Sequence, residues 1–393
     1  MTPFDPAAAT AAYLATLSPA ATAKAIAYTR GGHWLILWGF VVDVAAALLI
    51  LKSGLLPRVS GSLQKRRSRP WLVAFVVAAV FTLINSILEL PWSIYAGWWR
   101  EKAYGLTSQP FIGWLGEHAI MELISLVGTA LFLMFLYALI RRAPRFWWAW
   151  SGALAAVFFI LLIVISPPLI EPIFNHYTPA PPGAVRDEVV ALAKVSGVPS
   201  DKIFIYNGSK QSNRYTANVS GIFGSARVAM SDVMFQKGAD LAEVRGVVGH
   251  EMGHYAHNHA IWMTAAFSAL AVLCFWLTSL LFPLLRRWTG ATGVTGIADP
   301  SGLPLLMIAL SVLGLLCTPI TNTLTRMIEA DADHFSLVHA NEPDGLSKAL
   351  IKTVEYRAAS PGRLEEIIFY DHPSVSQRIR RAMDWKATHP ATH

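Results

Sequence analysis

Charge is what this 393-residue chain has least of, with only 15% of its residues Asp, Glu, Lys or Arg, where a soluble domain carries about 25%. A cytosolic globular fold is thereby excluded. Cysteine is nearly absent: Cys274 and Cys317 are the two present, and both fall inside apolar runs. The chain therefore has neither a disulfide framework nor a thiolate metal site to draw on, and such thiols usually serve packing. Missing as well are any tandem repeat and the basic start with an adjoining apolar run that marks a cleavable signal, so the first span is expected to be retained. The excess positive charge of +7 then calls for a membrane surface rather than nucleic acid as partner.

What is present is apolar. Hydrophobic residues make up 54% of the chain and gather into runs near 33–51, 70–92, 119–140, 147–170, 260–285 and 303–322, each of about the 20 residues needed to cross a bilayer. Six transmembrane helices are expected. The alanine-rich stretch 6–27, interrupted by Pro19 and Lys24, reads as an interfacial or extramembrane helix rather than a seventh span. Asp43, Glu89 and Glu122 lie inside spans, where a lipid-facing carboxylate is costly; they are expected to face either interhelical hydrogen bonds or a water-filled chamber.

Three short basic segments, 52–69, 141–146 and the turn after 285, hold eleven Lys and Arg. The positive-inside bias assigns them to the cytoplasm. By alternation, 171–259 and the C-terminal tail share the opposite face. The expected organisation is thus 1–170 with four spans, 171–259 as an extramembrane domain, 260–322 with two spans, and 323–393 completing that domain.

The segment 171–259 opens with prolines (Pro167, Pro168, Pro172, Pro179, Pro181, Pro182) that are expected to end the fourth span. An amphipathic helix over 184–197 and strands over 202–206, 215–222 and 227–231 follow, and Asp240 with Glu243 reads as a capping box before another helix. Along that helix runs His250-Glu-Met-Gly-His254. Imidazoles at i and i+4 lie about 40° apart around a helix and can reach one metal ion, with Glu251 turned to nearly the same side as a base. Two imidazoles and a carboxylate without thiolate suit a single catalytic Zn2+ that activates water. His257 shares the stripe, but a third ligand so close on one straight helix strains tetrahedral geometry. Just past the sixth span, Glu329 and Asp333 share a face while Asp331 points about 160° from Glu329. Glu329 is thus the expected third ligand, and Asp333 the acceptor that holds a ligand imidazole.

With H-E-M-G-H-Y-A-H-N-H, R-M-I-E-A-D-A-D and H-P-S-V-S-Q-R, the chain resembles the type I CAAX prenyl protease family of integral membrane zinc metalloproteases over nearly its whole length. The resemblance implies a mainly α membrane bundle or barrel with a small α+β peptidase domain. It implies zinc on His250, His254 and Glu329, Glu251 as base, Asp333 behind the ligands, and His372 and Arg378 lining the site as oxyanion donors. It also implies that substrate adds as a strand along 216–221, with Asn218 and Gly221 at the edge; here Thr216 stands where the family has asparagine, and Asn218 lies on the same face two residues later. The first of the family's seven helices has no counterpart.

Expected partners are a peptide or protein substrate, membrane-associated or lipidated, and the bilayer, which the alanine- and arginine-rich texture makes a bacterial inner membrane. The resemblance puts the peptidase domain in the cytosol, whereas the charge bias puts it outside. Quality-control degradation of membrane proteins is the alternative within the enzyme class. A transporter or scaffold using Asp43, Glu89 and Glu122 is the non-enzymatic one. A site-two-type intramembrane protease would carry the motif inside a span, and here the helix starts in polar sequence at Asp240.

Overall fold

The computed structural model describes residues 4–66, 69–222 and 226–389. Among these, six helices are long and apolar enough to cross a membrane. Helix α1 (Pro6–Ala15) precedes α2 (Pro19–Ser53), and α3 (Leu55–Arg66) leads into α4 (Pro70–Ser93), which continues through a π-turn over Ile94–Trp99 into α5 (Arg100–Ala103). Next come α6 (Phe111–Arg142), α7 (Trp147–Ile165) and, after a second π-turn at Ser166–Ile170, α8 (Glu171–Phe174). Pro167 and Pro168 therefore do not end the fourth span, as the sequence suggested. They sit in the wider π-turn, where the regular ladder of hydrogen bonds is already interrupted and a missing N–H costs little.

The extramembrane domain contains β1 (Tyr177–Pro179), α9 (Ala184–Ser196), β2 (Ile203–Tyr206), β3 (Ala217–Ser220), β4 (Arg227–Ser231), α10 (Asp232–Gln236) and α11 (Leu241–Ala256). Helices α12 (His259–Thr289) and α13 (Leu303–His339) cross back and forth, and α14 (Pro343–Lys352), α15 (Arg363–Phe369) and α16 (Val375–Thr388) close the domain. The sheet order is β1-β2-β4-β3, with β2 and β4 parallel and the outer pairs antiparallel. Strand β1, hidden in the proline-rich stretch, was not legible in the sequence. Asp240 caps α11 by accepting from Glu243 N–H at 2.8 Å. The return half of a capping box is not made, because the Glu243 carboxylate is drawn instead to Tyr215 Oη (3.1 Å) and Lys352 Nζ (2.6 Å).

Helix α1 packs on α14 and α16 rather than crossing the bilayer, and Tyr13 donates to Asp344 at 2.8 Å. A seam joins the two layers: Arg214 reaches Glu101 and Tyr28 Oη, both at 2.8 Å, and Gln211 donates to Glu117 at 2.8 Å. The basic segments meet at the far end of the bundle, where Lys52 Nζ donates to Thr289 O. Within the spans, Asp43 of α2 bonds Glu89 of α4, and Ser86 of α4 donates to Glu122 of α6, so all three carboxylates make interhelical hydrogen bonds. Cys274 and Cys317 are free thiols 4.0 Å apart between α12 and α13.

Candidate metallopeptidase active site

Two helices bring the site together. Gly249 and Gly253 of α11 face α13 so closely that a Cβ on Gly253 would stand 2.9 Å from Phe335 Cβ and 3.1 Å from Ala332 Cα. That near contact of backbones carries Glu329, a long way down α13, into reach of the α11 histidines. His250 Nε2 and His254 Nε2 lie 3.2 Å apart. Glu329 Oε2 is 3.1 Å from His250 Nε2, and its Oε1 is 3.4 Å from His254 Nε2.

Each imidazole turns its other nitrogen outward: His250 Nδ1 meets Asp333 Oδ1 at 2.9 Å, and His254 Nδ1 meets His259 Nδ1 at 3.0 Å. With those protons directed away, the atoms that face one another carry lone pairs, and Glu329 Oε2 is buried without a hydrogen-bond partner. A cation resolves this. Ligands held at 2.0–2.2 Å in a tetrahedron stand about 3.3 Å apart, the spacing found here.

Arg378 is buried and directs Nε and Nη2 at Asp333, at 2.7 and 2.6 Å. It therefore reaches the centre through Asp333 and His250. His372 is held at Nδ1 by Asp371 (2.8 Å) and brings Nε2 to 3.3 Å from Glu329 Oε2. His257 is not among the converging nitrogens; it bonds Asp331.

Glu251 borders a cavity of about 150 Å3 shared with His372 and Arg378. Loss of water pushes its carboxyl up to about 7, against the pull of His250, with the Val219 N–H bonding to it. Burial likewise lowers His254 to about 3. Burial also opposes charge on His250, but the Asp333 and Glu329 carboxylates beside it outweigh this and raise the group to about 10, as expected of a pocket that favours positive charge.

Strand β3 is a sheet edge. Ser231 N–H donates to Thr216 O, so in the observed register Asn218 and Ser220 turn their backbone groups to β4 while Ala217 and Val219 turn theirs outward. Asn218 Oδ1 and Ser220 Oγ are buried with no hydrogen-bond partner among the described residues. Gly221, at φ 94°, ends the strand and lines a cavity of about 450 Å3 with Val219, His254 and His259. The Val219 bond to the base and the His259–Asp331 contacts escaped sequence reasoning, although the H-N-H after the motif was a visible signal.

Residues 179–386 match the model of peptidase family M48, and residues 7–176 match that of the CAAX prenyl protease N-terminal region with five membrane helices. The chain belongs to peptidase family M48. Over 7–176 it has four helices long and apolar enough to span, among the described residues. It is similar to the Bacillus subtilis (strain 168) protein described as uncharacterized metalloprotease YhfN, 26% identical over 93% of this chain and 86% of that one. It is also similar to the CAAX prenyl protease 1 homolog of Arabidopsis thaliana, 27% identical over 75% and 70%.

The crystal structure of S. mikatae Ste24p superposes with a TM-score of 0.77 at 21% identity, covering 94% of this chain and 90% of that one. This M48 member is an integral, multi-pass membrane metallopeptidase of mainly helical fold. Its substrates are peptides or proteins, and a metal ion belongs to its chemistry.

Proposed function

We propose that His250, His254 and Glu329 hold one Zn2+ and that Glu251 is the general base of peptide-bond hydrolysis. The observation that carries this reading is the convergence of two imidazole nitrogens, 3.2 Å apart, with the Glu329 carboxylate, whose oxygens lie 3.1 Å from the first and 3.4 Å from the second, close to the spacing of tetrahedral edges. The donor set, two imidazoles and one carboxylate with no thiolate, is that of catalytic zinc in proteases. When bound, the ion polarises the scissile carbonyl and acidifies water.

The chain's own groups do the rest. Glu251, aimed by the Val219 N–H, takes the proton of the attacking water and returns it to the leaving amine. His372, steadied by Asp371, presents Nε2 where negative charge develops on the carbonyl oxygen. Arg378 acts on Asp333, keeping it ionised and oriented so that it fixes His250. Substrate pairs as an added strand with the outward groups of Ala217 and the outward carbonyl of Val219, whose N–H is held by Glu251; the unpartnered Asn218 Oδ1 and Ser220 Oγ support its reading as a docking edge.

Purified protein offered an extended peptide should cut it, stop when a zinc chelator is added, and resume when zinc is returned. Cutting that ignores the chelator removes the zinc reading. The Arabidopsis thaliana relative is named a CAAX prenyl protease 1 homolog, and a farnesylated peptide cut in preference to its unmodified twin would bring that specificity to this chain. Equal cutting confines it to peptide hydrolysis without a lipid requirement.

A further inference from the structure

We infer that His259 and Asp331 are positioning residues that fix the tautomer and orientation of His254, through a carboxylate–imidazole–imidazole chain leading to the zinc. The inference rests on the zinc assignment above. If His254 ligates through Nε2, its proton is on Nδ1, and the group it meets there is His259 Nδ1, at 3.0 Å. His259 must accept that proton's hydrogen bond, so its own proton is on Nε2, which lies 3.0 Å from Asp331 Oδ2. The directions of both hydrogen bonds follow from ligation through Nε2.

The backbone is shaped for this contact. On one continuous helix residues 254 and 259 would stand about 140° apart. Asn258 breaks α11 from α12 in the left-handed region, at φ 55° and ψ 36°, a conformation asparagine tolerates better than most residues. The turn folds His259 back against His254 and buries it. The two zinc-facing imidazoles are thereby treated alike: His250 is held by Asp333 directly, and His254 by Asp331 through one intervening ring.

A rival use of the same residues is a second cation site of His257, His259 and Asp331. The tautomers speak against it: Asp331 Oδ2, at 3.0 Å, is the acceptor that keeps the His259 proton on Nε2, and it meets His257 Nδ1 as well. A cation there would also take the His259 Nε2 lone pair and force a proton onto Nδ1, facing the proton of His254.

The test is zinc affinity and stoichiometry of the purified full chain, measured by competition with a chromophoric chelator, together with the visible absorption of the cobalt-substituted protein. The wild type should bind one ion. His259→Leu should weaken zinc by about 10–100-fold and shift the cobalt bands. His259→Gln, whose amide oxygen can accept from His254, should recover much of the affinity, and His257→Ala should leave it unchanged. Asp331→Asn, on a partly exposed side chain, should weaken binding less than His259→Leu and reads the same chain of bonds should that variant fail to fold. Unchanged affinity in folded His259→Leu and in Asp331→Asn overturns the inference, as does a second ion in the wild type that His257→Ala removes. A wild type that binds no zinc fails earlier, at the zinc assignment itself.

Discussion

Glu251 illustrates how one side chain's surroundings set its task. Burial raises its carboxyl to about 7 and a nearby imidazole pulls it back, so it is basic enough to take a proton and still ionises near neutrality. A bound dication lowers it further. The base works ionised, and kcat/KM should therefore rise with pH along an acid limb below pH 7; a rate that climbs as pH falls from 7 to 5 contradicts the assignment. Glu251→Gln should keep the metal and lose about 10²–10⁴-fold in kcat. Asp333→Asn should instead act on the metal, weakening its affinity by about 10–100-fold, because His250 loses a charged acceptor that Arg378 holds in place. Retained affinity in that variant would assign Asp333 to folding alone.

At the scale of elements, the site depends on α13 lying against α11. Gly253→Ala places a methyl 2.9 Å from Phe335 Cβ and against the Ala332 backbone, and overpacking of this kind costs about 1–3 kcal/mol. Thermal unfolding should drop and the metal should be lost as Glu329 is levered away; unchanged melting and metal content would mean the two helices can part without harm.

The elements show what a sequence displays and what it hides. Helices α9 and α11 and strand β4 were legible because period and capping residues are local. The capping box was half wrong because Tyr215 and Lys352, far along the chain, compete for Glu243. The convergence of His250, His254 and Glu329 could be expected from i and i+4 spacing on two separate helices. The His259–Asp331 chain could not, since it depends on one left-handed residue at 258.

The whole molecule couples bilayer and chemistry through single helices. Helix α13 runs 37 residues, about 55 Å, so it crosses the membrane and still delivers Glu329 and Asp333 to the site. The loop carrying Gln211 and Arg214 ties the sheet to the ends of the spans. A ligand bound only by the folded state stabilises it by about 4 kcal/mol at a thousand times its Kd, so stripping zinc should lower the unfolding temperature of the peptidase domain, and restoring it should reverse the change. An unfolding temperature indifferent to the chelator would separate metal binding from this fold.

The most direct measurement is the metal content per chain of the purified protein beside Glu251→Gln, His250→Ala, His254→Ala and Glu329→Ala. One zinc in the wild type and in Glu251→Gln, with little in the other three, is the result expected. Full zinc retained by Glu329→Ala, or by both histidine variants, would show that these three side chains do not share an ion.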